Sequence, residues 1–142
     1  TLNADYKLLD IKLVKNNFKK KFKNSTTLFY IKRLRRLKNN EVYLISRAYI
    51  PIEIIGKNTP KNIFKDKNLL DVLINKFGIK IIKSEQEVSA ITLDKNDSIL
   101  FKTQKGYPAI SNTWFMYDNA NNLVLIDKEY TIRPIKVENN YQ

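Results

Sequence analysis

Cysteine and histidine are both missing from this sequence of 142 residues. Without cysteine the chain can form neither a disulfide nor a thiolate metal site. Without histidine it lacks the usual general base and the commonest transition-metal ligand. We therefore expect no metal and no cofactor, and a domain that binds a ligand is favoured over an enzyme.

Long apolar runs are missing as well. Although 43% of the residues are hydrophobic, no run approaches the roughly twenty residues that span a bilayer. The chain opens at Thr1 without the charged-then-apolar pattern of a signal peptide. Length and hydrophobic content are typical of one domain with its own core. We expect a single cytoplasmic domain over residues 1–142, and the missing initiator methionine indicates an excised part of a longer protein.

Acidic residues are scarce: 14 Asp and Glu stand against 26 Lys and Arg, a net charge of +12. Such a charge suggests an anionic partner, nucleic acid among them. The lysines are nevertheless spread through every segment, and no RNP, RGG or zinc-finger pattern accompanies the one dense run, from Lys19 to Lys23. A basic nucleic-acid-binding module therefore stays an alternative function.

The most informative stretch is LFYIKRLRRLKNNEVYLISRAYIP, from Leu28 to Pro51. Its alternation predicts a hairpin with a strand at Leu28–Leu37, a turn at Lys38–Asn40 and a strand at Glu41–Ile50. Successive side chains on a strand point to opposite faces. The first strand therefore starts apolar and ends in a cluster of arginines.

Two arginines of this strand, Arg33 and Arg35, share a face with Phe29 and Ile31. Neighbouring guanidinium groups repel each other, and an anion bound between them would relieve that repulsion. The pair is thus a candidate clamp for a small acidic ligand. The alternative, a solvated strand end in a lysine-rich protein, stays open.

Further patterns complete the fold prediction. Alternation and turn residues predict strands at Leu9–Leu13, Ile79–Ile91, Tyr107–Tyr117 and Leu123–Ile132. Helical spacing predicts a short helix with Phe18 and Phe22 on one face, the helix Leu69–Phe77 ended by Gly78, and a capped turn over Asp94–Phe101. These elements predict an α+β domain built on a mainly antiparallel sheet of about six strands with flanking helices.

The order of these landmarks resembles the UTRA domain, the effector-binding half of HutC-type regulators in the GntR family of bacterial transcription regulators. The matching residues, which span roughly Thr27 to Val137, are Arg33-Leu34-Arg35, Glu41, Tyr49-Ile50-Pro51, Leu69–Phe77 with Gly78, Glu85-Gln86, Gly106-Tyr107-Pro108, the turn from Tyr117 to Leu123, and Tyr130 to Pro134.

The resemblance implies a chorismate-lyase-like fold and a homodimer. It also implies a repressor whose upstream winged helix-turn-helix domain, absent from this chain, contacts DNA. The expected effector is a small anionic metabolite, most directly a sugar phosphate. Because chorismate lyase shares the fold, a lyase-like enzyme acting on a small anionic substrate is the other alternative, with Glu85 and Arg33 as its acid and anion-binding pair.

The resemblance also implies binding residues. Arg33 and Arg35 would contact the phosphate, with Arg36 taking that role if the turn shifts the register. Ser46 stands where relatives carry a Glu that binds sugar hydroxyls. Asn68 stands where relatives offer a Ser to the phosphate, and it is equally a candidate helix N-cap.

Two more residues belong to this predicted site. Tyr130 stands where the family places a tyrosine that lines the pocket, although a core aromatic is an equal interpretation. Glu85 shares a face with isoleucines by alternation. We expect it to point inward and to face the pocket, because an isolated buried carboxylate is costly.

Overall fold

One six-stranded antiparallel sheet is the framework of this computed structural model, which describes residues 4–18, 22, 24–65, 67–133 and 138–141. The strands follow the spatial order β1-β2-β3-β6-β5-β4. Their bounds are Ala4–Lys15 (β1), Thr27–Leu37 (β2), Val42–Pro51 (β3), Ile81–Thr92 (β4), Pro108–Asp118 (β5) and Leu123–Thr131 (β6).

The sheet consists of two three-stranded meanders. The strands β1, β2 and β3 pair in sequence order, and so do β4, β5 and β6. The meanders meet where β3 pairs with β6, from Ile45 opposite Tyr130 to Tyr49 opposite Ile126. We call this β3–β6 pairing the seam. It joins segments about eighty residues apart in the chain, whereas the hairpins join near neighbours.

Short helices cover one face of the sheet. These are α1 (Ile52–Ile55), a 3-10 helix (Lys61–Phe64) and α2 (Leu69–Phe77). The Asn68 side chain caps the start of α2, and Gly78 ends it with a left-handed φ of 65°, a conformation that glycine adopts without the steric cost of a Cβ atom. The core between helices and sheet contains Phe29, Ile31, Ala48, Ile50, Ile55, Phe64, Leu69, Val72, Leu73 and Leu125.

The opposite face carries α3 (Lys95–Leu100). Its Asp97 is buried, with 2% of its surface exposed. The Asp97 carboxylate accepts hydrogen bonds from Arg47 Nη2 at 2.6 Å and from Lys32 Nζ at 3.3 Å. This ion-pair cluster fastens α3 to β2 and β3.

The α+β class and the mainly antiparallel sheet of six strands are confirmed. The predicted bounds of α2 are also those observed, since its nine residues contain three buried positions and are flanked by an end signal on each side. The segment between β3 and α2, for which no helix was predicted, contains α1 and the 3-10 helix, which are too short to show a helical period. No helix in the described part of the chain is long and apolar enough to cross a membrane.

One of the two elements predicted before β2 differs at its bounds, and the other cannot be compared in full. The first strand is much longer than Leu9–Leu13, because a β-bulge between Leu8 and Asp10 breaks the regular alternation. Most of the predicted helix between Phe18 and Phe22 lies outside the described residues. Within them, the Phe22 N–H donates to the Phe18 carbonyl at 3.0 Å, and the buried Asn16 accepts from the Phe18 N–H at 2.7 Å.

Candidate ligand-binding site

A cavity of about 190 Å³ lies over the seam, between the sheet and the beginning of α2. Both meanders contribute to its walls, and α2 closes one side. The lining residues are Tyr6, Arg33, Ser46, Asn68, Leu69, Leu70, Trp114, Met116, Leu125, Asp127 and Glu129.

Arg33 is the most deeply buried charged group of this cavity, with 2% of its surface exposed. Its Nη1 donates to the carbonyls of Lys67 at 2.6 Å and Phe64 at 3.3 Å. Its Nε has no hydrogen-bond partner among the described residues. The protein therefore fixes one edge of the guanidinium and leaves a donor in the buried site.

The aromatic ring of Tyr6 lies against both clamp arginines. The ring centre is 4.1 Å from Arg33 Cζ and 5.5 Å from Arg35 Cζ, within the range of a cation–π interaction. Arg35 does not line the cavity itself, although its buried Nε also has no partner among the described residues. Tyr6 thus offsets part of the repulsion between the two arginines.

Ser46 and Asp127 form the floor at the seam. Ser46 lies opposite Arg33 in the β2–β3 register, and its hydroxyl donates to Asp127 Oδ1 at 2.7 Å. Burial raises the pKa of Asp127, while the Ser46 hydrogen bond and the charge of Arg33 act in the opposite direction. This carboxyl group therefore binds a proton more readily than an exposed aspartate.

Glu129 is the second carboxyl group of the cavity. The indole Nε1 of Trp114 donates to Glu129 Oε1 at 3.0 Å. Burial, followed by the neighbouring charge of Asp127, raises the pKa of Glu129, while Trp114 and both clamp arginines oppose the shift. The protein thus supplies part of the negative charge beside its own arginines.

Burial also affects Arg33, whose pKa it lowers; the charges of Tyr6, Asp127 and Glu129 counteract this effect. Guanidinium remains charged at physiological pH even when buried. The cavity therefore combines a fixed cation on β2 with two carboxyl groups that can accept hydrogen bonds on β6, on the other side of β3. Such a site suits a small ligand that has both an acidic group and hydroxyl groups.

Asn68 both caps a helix and lines the cavity. Its Oδ1 accepts from the N–H groups of Leu70 at 2.9 Å and Asp71 at 3.4 Å, which makes it the N-cap of α2. It also lines the cavity. The capping interpretation is confirmed, and the contact with a ligand stays a prediction.

Arg33, Ser46 and Asn68 are thus brought together at the cavity, whereas Arg35, Arg36, Glu85 and Tyr130 do not line it. Arg36 is on the other face of β2, where its Nη2 is 3.0 Å from Asp5 Oδ2. Tyr130 packs in the core below α3, with its ring centre 5.1 Å from Arg47 Cζ. For Tyr130 the core interpretation is the one the structure bears out.

The inward orientation predicted for Glu85 is wrong. Glu85 is exposed and lies opposite Phe115, whose side chain packs on the face away from the cavity. A register shift between Ile81 and Lys83 interrupts the alternation, and β4 is an edge strand of the sheet. Its residues from Ile82 to Ala90 are all exposed, so its isoleucines do not mark an interior face.

The sequence analysis did not predict the apolar cavity residues or four residues that bring polar groups to the cavity: Tyr6, Trp114, Asp127 and Glu129. The sequence contained a signal that could have placed the two acids in the site. Leu125, Asp127 and Glu129 alternate along β6. Ile31, Arg33 and Arg35 alternate in the same way along β2. Each strand starts apolar and ends charged on the same face. In the described part of the chain, no group of three or more acidic side chains could hold a metal ion.

Known structures share this fold. The chain superimposes on the ligand-binding domain of a protein assigned to the GntR family of transcriptional regulators, from Bordetella bronchiseptica, with a TM-score of 0.84 and 12% identity, covering 99% of this chain and 91% of that one. For a GntR-family regulator from Enterococcus faecalis the TM-score is 0.80 at 14% identity, with 94% and 99% of the two chains covered.

A third structure is longer. YydK of Bacillus subtilis, described as a possible transcriptional regulator, matches with a TM-score of 0.81 and 14% identity, over 99% of this chain. The chain spans 64% of YydK, less than two thirds of its length. Identities this low establish the fold alone.

Sequence comparison identifies the family. No match was found among curated proteins. The UTRA domain family, however, matches residues 6–132, which include β1 from its third residue, the other five strands in full and all the residues that line the cavity. The chain therefore belongs to the UTRA domain family.

Proposed function

We propose that this chain is the effector-binding and dimerisation domain of a cytoplasmic, HutC-type repressor of the GntR family. A small anionic metabolite, most directly a sugar phosphate, binds in the cavity over the seam. Binding changes the arrangement of the homodimer and thereby operator binding by a winged helix-turn-helix domain outside this chain. The domain needs no cofactor and catalyses no reaction.

The observation that carries this proposal is the buried guanidinium of Arg33. Burying a charge without a partner is costly. Two backbone carbonyls hold Nη1, but Nε remains unpaired among the described residues. A phosphate or carboxylate group would pair with it by a charge-assisted hydrogen bond, which is about twice as strong as a neutral one.

The rest of the cavity supports a small hydroxylated anion. A volume of about 190 Å³ is below the roughly 300 to 1,000 Å³ of pockets for drug-sized ligands. Asp127 and Glu129 can accept hydrogen bonds from ligand hydroxyls. They take over the task that relatives give to a Glu at the position of Ser46, and a sugar phosphate has both kinds of group.

Neither alternative function gains support from an observation. The lyase interpretation paired Glu85 with Arg33, and these residues lie on opposite faces of the sheet. Nucleic-acid binding rested on net charge alone. Regulation requires only that the effector binds the two arrangements of the dimer with different affinity. A hundredfold change in operator occupancy corresponds to a difference of about 2.7 kcal/mol in its binding free energy.

The sequence contains one tryptophan, Trp114, and it lines the cavity. Its fluorescence therefore reports binding at this site without any labelling. We would titrate the domain with sugar phosphates, their unphosphorylated counterparts, fatty acids and carboxylate metabolites, and follow both Trp114 emission and the melting temperature. At a hundred times its dissociation constant, a true ligand should add about 2.7 kcal/mol of stability, which is several degrees for a domain of this size.

Two matched variants locate the anion. Arg33→Lys keeps a positive charge but loses the planar fork, so its dissociation constant should rise at least tenfold. Arg36→Lys makes the same change three positions further along β2, on the face away from the cavity, and its affinity should match that of the wild type. If no anionic compound changes Trp114 emission, or if both variants bind as the wild type does, the proposed site is wrong.

A further inference from the structure

Three basic side chains form a row across the face of the sheet that carries α3. In the register of the strands, Lys32 on β2 lies opposite Arg47 on β3, and Arg47 lies opposite Lys128 on β6. Because neighbouring strands are about 4.8 Å apart, the backbone positions of the three residues lie within roughly 10 Å. We call Lys32, Arg47 and Lys128 the cation row.

Two apolar clusters border the cation row. One contains Tyr49 on β3 and Ile126 on β6, with Phe18 packed against them. The other contains Ile45 on β3 and Tyr130 on β6, below α3. Each of these four strand residues is two positions away from a member of the row, so it lies on the same face. The row is therefore recessed between two covered regions of the sheet.

The charges of the cation row are not balanced. Asp97 pairs with Lys32 and with Arg47, whose side chains are 17% and 16% exposed. Lys128 forms no ion pair within the described ranges of the chain. The next carboxylate along the row belongs to the exposed Glu87 on β4, two strands away from Lys128. Three positive charges thus stand against one negative charge.

Arg47 also has a donor to spare. Its Nη2 donates to Asp97 at 2.6 Å, whereas its buried Nη1 has no hydrogen-bond partner among the residues that the structure describes. Tyr30 lies beside the guanidinium group. Its interaction with Arg47 opposes the rise that burial causes in the pKa of Tyr30, but it leaves Nη1 without a partner. A buried donor in this state is costly unless something accepts from it.

We propose that the cation row binds a phosphate dianion, either free or as the phosphomonoester group of a small molecule. Arg47 Nη1 and the ammonium group of Lys128 donate to the phosphate oxygens. Lys128 Nζ lies 5.3 Å from the ring centre of Phe18, and its flexible stem allows it to turn toward Arg47. Asp97 holds the other side of the guanidinium group, so that Arg47 is oriented before the anion binds.

The charge of the cation row indicates the class of ligand. A phosphomonoester carries close to two negative charges at neutral pH, because its second pKa is about 6. This charge matches the excess of two positive charges in the row, whereas a carboxylate would balance only one. A nucleic-acid backbone follows an open basic surface, and the row is bordered on both sides. A small phosphate compound is therefore favoured.

The proposed site lies behind the cavity. Ser46 pairs with Glu129 and Arg47 pairs with Lys128 at successive positions of the seam. Because adjacent residues on a strand point to opposite faces, the two sites share strands but no side chain. The phosphate site therefore goes beyond the proposed function and does not depend on it.

Two-dimensional NMR of the ¹⁵N-labelled 142-residue chain tests the site, because it reports on each amide separately. We would titrate inorganic phosphate and methyl phosphate, with sodium chloride at matched ionic strength as the reference. With a phosphate compound, the amides of Arg47 and Lys128 should shift along a saturating curve that chloride does not produce. The lower of the two dissociation constants identifies the free ion or the ester as the preferred form. Acetate, with one negative charge, should bind at least tenfold more weakly.

Matched variants assign these shifts to the cation row. Lys128→Gln removes one charge without breaking an ion pair between described residues, and the dissociation constant measured at the Arg47 amide should rise at least tenfold. Lys57→Gln makes the same change of charge in the exposed turn after α1, and it should bind as the wild type does. Arg33→Lys changes the cavity and should also leave this constant unchanged.

The outcomes separate this site from the cavity. The site is overturned if neither phosphate compound gives saturating shifts at the row, if chloride gives equal shifts, or if Lys128→Gln binds as well as Lys57→Gln. Shifts that Arg33→Lys abolishes and Lys128→Gln preserves would place the phosphate in the cavity and limit the row to holding α3. None of these results contradicts the proposed function, because effector binding is measured at Trp114 and depends on Arg33.

Discussion

At the scale of single residues, the cavity is a balance of charges that the protein partly supplies itself. Arg33 and Arg35 lie beside one tyrosine ring and near two carboxyl groups with raised pKa values. The repulsion that first suggested an anion clamp is therefore reduced before any ligand enters. What remains for a ligand is the Nε of Arg33, which has no hydrogen-bond partner within the described ranges of the chain.

The raised pKa values of Asp127 and Glu129 predict a dependence of stability on pH. The folded state keeps protons that the unfolded state, with its ordinary values of 3.8 and 4.5, releases. The stabilisation is fully present below about pH 4 and is lost as the pH rises through the raised values. Glu129→Gln removes one of the titrating groups and can still accept from Trp114.

We therefore expect the free energy of unfolding of the wild type to fall more between pH 5 and pH 8 than that of Glu129→Gln. One pKa unit corresponds to about 1.4 kcal/mol, and the difference should be of that order. Urea unfolding at both pH values measures it. Glu53→Gln, a change at an exposed carboxylate, serves as the control, and equal slopes for wild type and Glu129→Gln would contradict the prediction.

Substitutions can separate the capping of α2 by Asn68 from its predicted contact with a ligand. Asn68→Asp keeps an N-cap, so stability should stay within about 0.5 kcal/mol, whereas Asn68→Ala should lose about 1 kcal/mol. If Asn68 also contacts the anion, the new carboxylate repels it, and affinity for a sugar phosphate should fall at least tenfold. Urea unfolding and Trp114 titration measure the two effects, and unchanged affinity in Asn68→Asp would limit Asn68 to capping.

At the scale of elements, local sequence patterns predicted the faces and the bounds of single strands and helices. Alternation in β2 placed Arg33 with Phe29 and Ile31, and the spacing and end signals of α2 determined its bounds. The position of a strand in the sheet has no local signal, because it depends on pairing across about eighty residues. Glu85 was therefore placed in the interior although β4 is an edge, and Asp127 was not connected with Ser46.

The ion-pair cluster that connects α3 to the sheet should be important for stability. Asp97→Ala leaves Arg47 and Lys32, whose side chains are 16% and 17% exposed, without their shared partner. Loss of one member of a buried pair costs roughly 3 to 5 kcal/mol. The exposed pair of Asp5 with Arg36 is the comparison, and Asp5→Ala should cost less than about 1 kcal/mol.

Urea unfolding of both variants measures these losses at one pH and ionic strength. A loss in Asp97→Ala no larger than that in Asp5→Ala would mean that α3 is held by its apolar contacts alone. These contacts include Leu93 and Phe101, which pack against Leu34 and Ile45 of the sheet.

At the scale of the whole molecule, the two faces and one edge of the sheet differ in what they contact. One face carries α1, the 3-10 helix, α2 and the cavity, and the other face carries α3. At one edge, β4 pairs only with β5 among the described residues. The fold class and the number of strands followed from the sequence, since most strands are joined by hairpins. The site did not follow in full, because its walls come from both meanders and meet only at the seam.

The seam also has a kinetic consequence. Each meander can form by closing short hairpins, but β3 reaches β6 only after a loop of about eighty residues closes, and such long-range contacts are slow to form. The cavity exists only once this closure is complete. A bound metabolite that contacts both meanders would stabilise the pairing of β3 with β6, which forms last. It would therefore slow hydrogen exchange first at the amides of β3 and β6.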